Sequence, residues 1–157
     1  MSAAEDSAHV PVFPPLIYIV ALGLGFLLQW LVPLSAGEGW RLAVGVLGYV
    51  LIAVGLALMG SAVGLFLRAG TTPNPTQPTT TLVFRGPYRF TRNPMYVGNA
   101  LVTAGIGLAA HTWWPLVMAI VASAVVRRVV IAREERYLEQ KFGASYVEYT
   151  KRVRRWL

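Results

Sequence analysis

From Leu42 to Leu67 the chain runs for 26 residues without a charged side chain, between Arg41 and Arg68. As a helix this run rises about 39 Å, more than the roughly 30 Å of bilayer hydrocarbon, so it can cross a membrane with a tilt. Composition extends the point to the whole chain. Hydrophobic residues make up 55% of the 157 and charged residues 13%, about half the usual charged share of a soluble domain. The length leaves room for one membrane domain, residues 1–157, with a handful of spans.

Three further apolar runs accompany the long one. Residues 16–34 are entered through Pro14 and Pro15 and closed by Pro33, with Gln29 as their strongly polar member. Residues 95–110 and 113–126 are shorter than a comfortable span. The last reaches span length if its helix continues through Arg127 and Arg128 to about residue 132, with the arginines reaching headgroups or turned into the protein. Trp113 and Trp114 mark the opposite interface. The expected fold is therefore all-α and polytopic. It has four transmembrane helices (about 16–34, 42–67, 95–110 and 113–132), a cytoplasmic loop 68–93, and an amphipathic helical tail 133–157.

Four spans put both termini and the 68–93 loop on one side. Thirteen of the fourteen basic residues then share that side, Arg41 being the exception, so the positive-inside rule makes it cytoplasmic. Glu5 and Asp6, with no early Arg or Lys, argue against a secretory signal. Having no cysteine, the chain forms no disulfide, thiolate metal site or cysteine nucleophile. His9 lies in a tail expected to be disordered and His111 at a turn, so no metal site is expected. Gly60 and Gly64 form a GxxxG pair, and Gly45, Gly48, Gly105, Gly107, Ala119 and Ser123 offer other small faces. These suit close helix packing, within one chain or between two.

Two segments carry chemistry. Residues 69–82, AGTTPNPTQPTTTL, hold three prolines and six threonines and form an extended connector, since proline removes donors and fixes its own torsion. They lead through Leu82, Val83 and Phe84 to GPYRFTRNPMYVG, residues 86–98. Gly86-Pro87 makes a turn, and Asn93-Pro94 starts a helix, asparagine capping it and proline taking its first position. Tyr88, Arg89, Arg92 and Tyr96 gather donors at the positive end of that helix, where an anion or a lipid headgroup would bind.

The second segment, REERYLEQKFGASYVEYTKRVRRWL, follows the last span. Arg133, Tyr137 and Lys141 share one helical stripe, Glu134 and Leu138 the next, and Gly143 breaks the helix. Seven residues close two turns, which stacks Glu134 under Arg127 and Glu135 under Arg128. The pattern fits a surface helix with self-paired charges. It also fits a pair of carboxylates in a half-dry setting that would hold hydroxyl or ammonium groups of a ligand. Arginines on one wall and carboxylates on the other suit a zwitterion.

The two motifs and their spacing resemble the isoprenylcysteine carboxyl methyltransferase and phospholipid methyltransferase superfamily of integral membrane enzymes, over roughly residues 82–157. The resemblance implies methyl transfer from S-adenosylmethionine, on the cytoplasmic side, to a lipophilic acceptor entering from the bilayer, with membrane lipids and no nucleic acid as partners. It assigns the cofactor to Gly86, Pro87, Tyr88, Arg92, Asn93, Pro94, Tyr96, Glu134 and Glu135, and the substrate to Tyr146, Tyr149 and Arg154. Arg89 or Arg152 would orient a carboxylate acceptor, and Glu134, Glu135 or a tyrosine would take the proton of an amine acceptor. Asn93 stands where many members carry histidine; it cannot titrate.

Two other readings fit part of the pattern. A sterol-reductase-like enzyme would bind NADPH on a related layout but has a longer chain. A non-catalytic lipid-binding protein would use the tail for headgroups. Abundant alanine, glycine, valine and arginine with little lysine suggests a GC-rich bacterial source, and hence the bacterial inner membrane.

Overall fold

A computed structural model describes residues 7, 8, 10–35, 37–74 and 77–156, and the described chain is helical. Helix α1 covers Pro14–Leu31, α2 Arg41–Arg68, α3 Pro94–Ala109 and α4 Trp114–Val126, with α5 (Ala132–Phe142) and α6 (Ala144–Arg152) completing the chain. Three stretches are long and apolar enough to cross a membrane: α1, Glu38–Arg68, and Trp114–Phe142. Helix α3 is shorter at 16 residues, a rise of about 24 Å.

Helix α2 packs on α3, α3 on α4, and α4 on α1. Glycine sets the closest of these contacts. A Cβ on Gly48 would stand 2.4 Å from the Ala109 nitrogen, and one on Gly105 would stand 2.7 Å from the Gly48 carbonyl oxygen. Farther along the same seam, a Cβ on Gly55 would meet the Gly98 carbonyl at 2.8 Å. With no hydrophobic drive between helices in lipid, such backbone contact supplies the association. Gly60 and Gly64 take no part in it, having nothing within 4 Å of an added Cβ; the packing they suggest within the chain is supplied by Gly48, Gly55, Gly98 and Gly105 instead.

The two ends of the bundle are tied differently. At one end, Gln29 accepts from the Thr112 hydroxyl at 2.6 Å and the Leu34 amide at 3.0 Å, and donates to Ser35 at 3.1 Å. Trp114 donates its indole N–H to the Val32 carbonyl at 2.8 Å, and half-buried His111 sits against Gly45. At the other end lie the 69–93 connection, α5 and α6. Ser7, Ala8 and Val10 are buried, so this part of the expected disordered tail packs on the bundle; His9 and residues 1–6 lie outside the described residues.

The expected charge ladder from Arg127 and Arg128 to Glu134 and Glu135 does not form. Arg127–Ile131 is wound as a π turn joining α4 to α5. The wider turn inserts extra arc, so seven residues no longer complete two turns. Arg127 and Arg128 are exposed, Val130 and Ile131 are fully buried, and the glutamates are half-buried on another side. Gly143 separates α5 from α6 as expected, at a positive φ of 51° that glycine adopts without a steric penalty.

Candidate functional site

The start of α3 is laced to the end of the chain. The Arg92 amide donates to the Arg154 carbonyl at 2.9 Å, and the Thr91 hydroxyl, on a residue only 1% exposed, donates to the Arg155 carbonyl at 3.2 Å. Asn93 donates its side-chain amide to the same Arg155 oxygen at 2.9 Å. It occupies the N-cap position of α3, but its side chain makes no capping bond; its backbone carbonyl accepts from Tyr96 and Val97. The expected cap is thus replaced by a tether to the C-terminal segment.

The start of α3 lines one pocket together with α5 and α6. Its first wall is the start of α3, with Arg92, Asn93, Pro94 and Tyr96. Opposite stand Glu134 and Glu135 from α5, and Tyr146 and Tyr149 from α6. Tyr88, in the single helical turn Gly86–Arg89, closes a third side. Gly86 is needed there for its positive φ of 59°, and the Tyr88 ring meets that of Phe66 of α2 at a tilt of 59°, with centroids 5.5 Å apart.

The two glutamates do different work. Glu135 is gripped by Arg92 at 3.2 Å and by Arg155, whose Nε donates to Oε1 at 3.0 Å and whose second nitrogen reaches Oε2. The Arg92 and Glu135 side chains are 14% and 16% exposed, so this pair is little screened by solvent, and removing one partner would leave a costly unpaired charge. Glu134 accepts the Tyr96 hydroxyl on Oε1 at 2.6 Å. Glu134 lines the pocket, and no hydrogen bond or ion pair engages its other oxygen among the described residues. Among the described residues, and apart from His111 Nδ1 at the far end of the bundle, two side-chain atoms are buried without partners: the Tyr88 hydroxyl and Arg92 Nε. Buried polar atoms are normally paired, and both of these belong to pocket-lining residues.

Gly86, Pro87, Arg89, Arg152 and Arg154 are not among the lining residues. Arg89 and Arg154 are exposed, and Arg152 pairs with Glu148 one turn earlier on α6, at 2.6 Å. The pocket is also walled by residues with no motif to mark them. The threonine-proline connector supplies Thr72, Thr79 and Thr81, followed by Leu82, Val83 and Phe84. The Thr79 amide donates to the Tyr137 hydroxyl at 3.1 Å, the Thr80 amide to the Thr71 hydroxyl at 3.1 Å, and Phe84 stacks on Tyr149 at 4.8 Å. Composition marks this segment as irregular but cannot say what it covers. Arg155 is another such case, one arginine among several in the tail until its contact with Glu135 is seen.

Burial pushes the Tyr146 hydroxyl from 10.0 up to about 12, with the Glu135 carboxylate acting in the same direction and Arg92 opposing. Tyr149 and Tyr88 are raised as well, burial again leading. An unfolded tyrosine ionises near 10.0 while folded Tyr146 keeps its proton to about 12, so ionisation favours the unfolded chain between those values. Stability should be intact below pH 10 and fall as pH rises toward about 12, with Tyr146→Phe giving a shallower decline. Melting temperatures recorded across that window test this; equal slopes for the two proteins would rule it out.

The sequence profile of the phospholipid methyltransferase family matches residues 43–145. The chain belongs to this family. The match takes in α2, so family character begins one helix earlier than residue 82, and it holds the whole α3 motif and both glutamates while Tyr149, Arg152, Arg154 and Arg155 follow it. Among curated relatives, an uncharacterized protein of Haemophilus influenzae is 38% identical over 63 residues, 40% of this chain and 79% of that protein. The cobalt-zinc-cadmium resistance protein CzcN of Cupriavidus metallidurans is 34% identical over 73 residues, 46% of this chain and 33% of that protein. This member of the family therefore spans most of the first relative and about a third of the second. No solved structure matches it.

Proposed function

We propose that the protein is a bacterial inner-membrane methyltransferase. The whole chain acts as one domain with four spans, including the short α3, and with both termini and the pocket at the cytoplasmic face. It transfers a methyl group from S-adenosylmethionine to a lipophilic carboxylate or amine. The observation that carries this reading is the meeting of Arg92, Tyr96 and the two glutamates in one pocket that holds two unpartnered buried donors. Family membership supports it.

The residues present fit the methyl donor. Arg92 Nε, the Tyr88 hydroxyl and the positive end of α3 suit its amino-acid carboxylate. The free oxygen of Glu134 suits its hydroxyl or ammonium groups. Tyr146 and Tyr149 face the acceptor, and Gly86 and Pro87 shape the turn that presents Tyr88. When bound, S-adenosylmethionine supplies a methyl group already made electrophilic by its sulfonium. The chain then has mainly to align and dehydrate the reactants, and Leu82, Val83 and Phe84 give the pocket a dry wall. Glu135 holds Arg92 in place, and Asn93 secures the C-terminal segment without carrying a proton. Arg92 is the arginine that lines the pocket, so orientation of a carboxylate acceptor falls to it ahead of Arg89 or Arg152. An amine acceptor would give its proton to Glu134.

Calorimetry with S-adenosylhomocysteine on the purified protein in detergent tests the reading. Saturable binding is expected, weakened about tenfold by Glu134→Ala. No heat with this product, or heat with NADPH in its place, would remove the methyltransferase reading.

A further inference from the structure

A groove on the α3–α4 face shares no lining residue with the pocket. Its apolar part runs between Leu101 and Ala104 of α3 and Leu116 and Ile120 of α4. Alanines hollow this seam: Ala100, Ala104 and Ala119 line it where longer side chains would fill it. At one end the groove meets a polar part lined by Ala124, Arg127 and Arg128. Ser123 and Trp156 line both parts, making them one continuous feature.

Three properties of this feature point to the same occupant. Arg127 and Arg128 are both exposed, and neither forms an ion pair among the described residues. The π turn beginning at Arg127 separates them from the glutamates of α5, which leaves two cations without an ion pair among the described residues at the end of an apolar helix. Trp156 is held over the groove by its neighbours, since Arg155 is fixed by Glu135 and its carbonyl accepts from Asn93; the ring itself packs partly against the core. Tryptophan at this level is typical of the membrane interface. Finally, the rise from Leu116 to Arg127 is about 16 Å, long enough to seat an extended stretch of one acyl chain whose headgroup lies at Arg127.

We propose that this groove binds an acidic phospholipid, its phosphate on Arg127 and Arg128 and one acyl chain lying between α3 and α4 beneath Trp156. A zwitterionic lipid would fill the apolar part equally well, but its headgroup ammonium offsets its own phosphate and is repelled by the two arginines. Each arginine near an anionic headgroup favours it about fivefold, so the pair predicts a preference of about 25-fold. The binding is independent of the chemistry in the pocket.

The test uses the full chain in nanodiscs holding equal amounts of phosphatidylglycerol and phosphatidylcholine with identical acyl chains. Lipids retained on the released protein are then counted by native mass spectrometry. Wild type should retain phosphatidylglycerol in about 25-fold excess, and the Arg127→Gln/Arg128→Gln pair should bring retention near parity. Leu101→Trp, which fills the apolar part, should lower retention of both lipids. Parity in wild type overturns the proposal whatever the variants do, as does an undiminished preference in the double variant. Loss of the preference on adding inorganic phosphate alone would assign the arginines to a soluble anion, and would also overturn it.

Discussion

Arg92→Ala should weaken binding of S-adenosylhomocysteine by about tenfold to a hundredfold, the usual loss when a charge-assisted hydrogen bond is removed. It should also lower the melting temperature, because Arg92 joins its proposed ligand role to a structural one. Its Nε is buried without a protein partner while its Nη1 grips Glu135 at 3.2 Å. Truncation removes the first function and leaves a half-buried carboxylate with one fewer cation. Arg155 remains on Glu135 through two contacts, so the structural loss should be about 1–3 kcal/mol rather than unfolding. Glu135→Gln separates the two roles. It keeps Arg92 in the pocket but loosens it, and should lower stability with a smaller effect on affinity. Calorimetry and thermal melts on the three proteins would decide the matter; unchanged affinity in Arg92→Ala would remove this arginine from the ligand site.

The larger effect on folding is expected at the α2–α3 seam. Gly105→Val should give little or no folded protein in detergent, and Gly48→Val should do the same. A side chain at Gly48 would meet only backbone, at 2.4–2.9 Å, and one at Gly105 would meet the Gly48 carbonyl at 2.7 Å and the Ile52 nitrogen at 2.9 Å, beside the Ile52 side chain. Backbone cannot rotate away, so the helices would have to separate. Overpacking that flexible side chains can absorb typically costs 1–3 kcal/mol, and this is more severe. Gly60→Val and Gly64→Val on the same helix provide the comparison. Both sites are open, with nothing within 4 Å, and both variants should melt within about 0.5 kcal/mol of wild type. Size-exclusion profiles and melts suffice; a folded, monodisperse Gly105→Val protein would show that the seam is not required.

The two motifs could be read as a turn, a helix start and a carboxylate pair because each follows local rules. Proline fixes a torsion, glycine admits positive φ, and an uncharged run of 26 residues has few places to go but lipid. The same rules failed where register or distance intervened. The Arg127-to-Glu134 ladder assumed regular winding, and one π turn redirected it. Asn93 looked like a cap from its neighbours in sequence, yet its side chain bonds the Arg155 carbonyl, 62 residues away. Gly60 and Gly64 had the spacing of a packing motif, but the contacts fell to glycines whose partners lie on α3.

By itself, then, the sequence determined that the chain is helical, with stretches long and apolar enough to cross a membrane, and it marked the two segments from which much of the pocket is built, because hydropathy and backbone restriction act over short stretches. Tertiary structure decided which of those residues meet. It gave Glu135 to Arg92 and Arg155, gave Glu134 to Tyr96, folded the threonine-proline connector over the pocket, and left Arg89, Arg152 and Arg154 outside it. A contact between residues far apart in the chain depends on helix lengths, crossing geometry and the winding of a single turn, and none of these is fixed by the local pattern on either side.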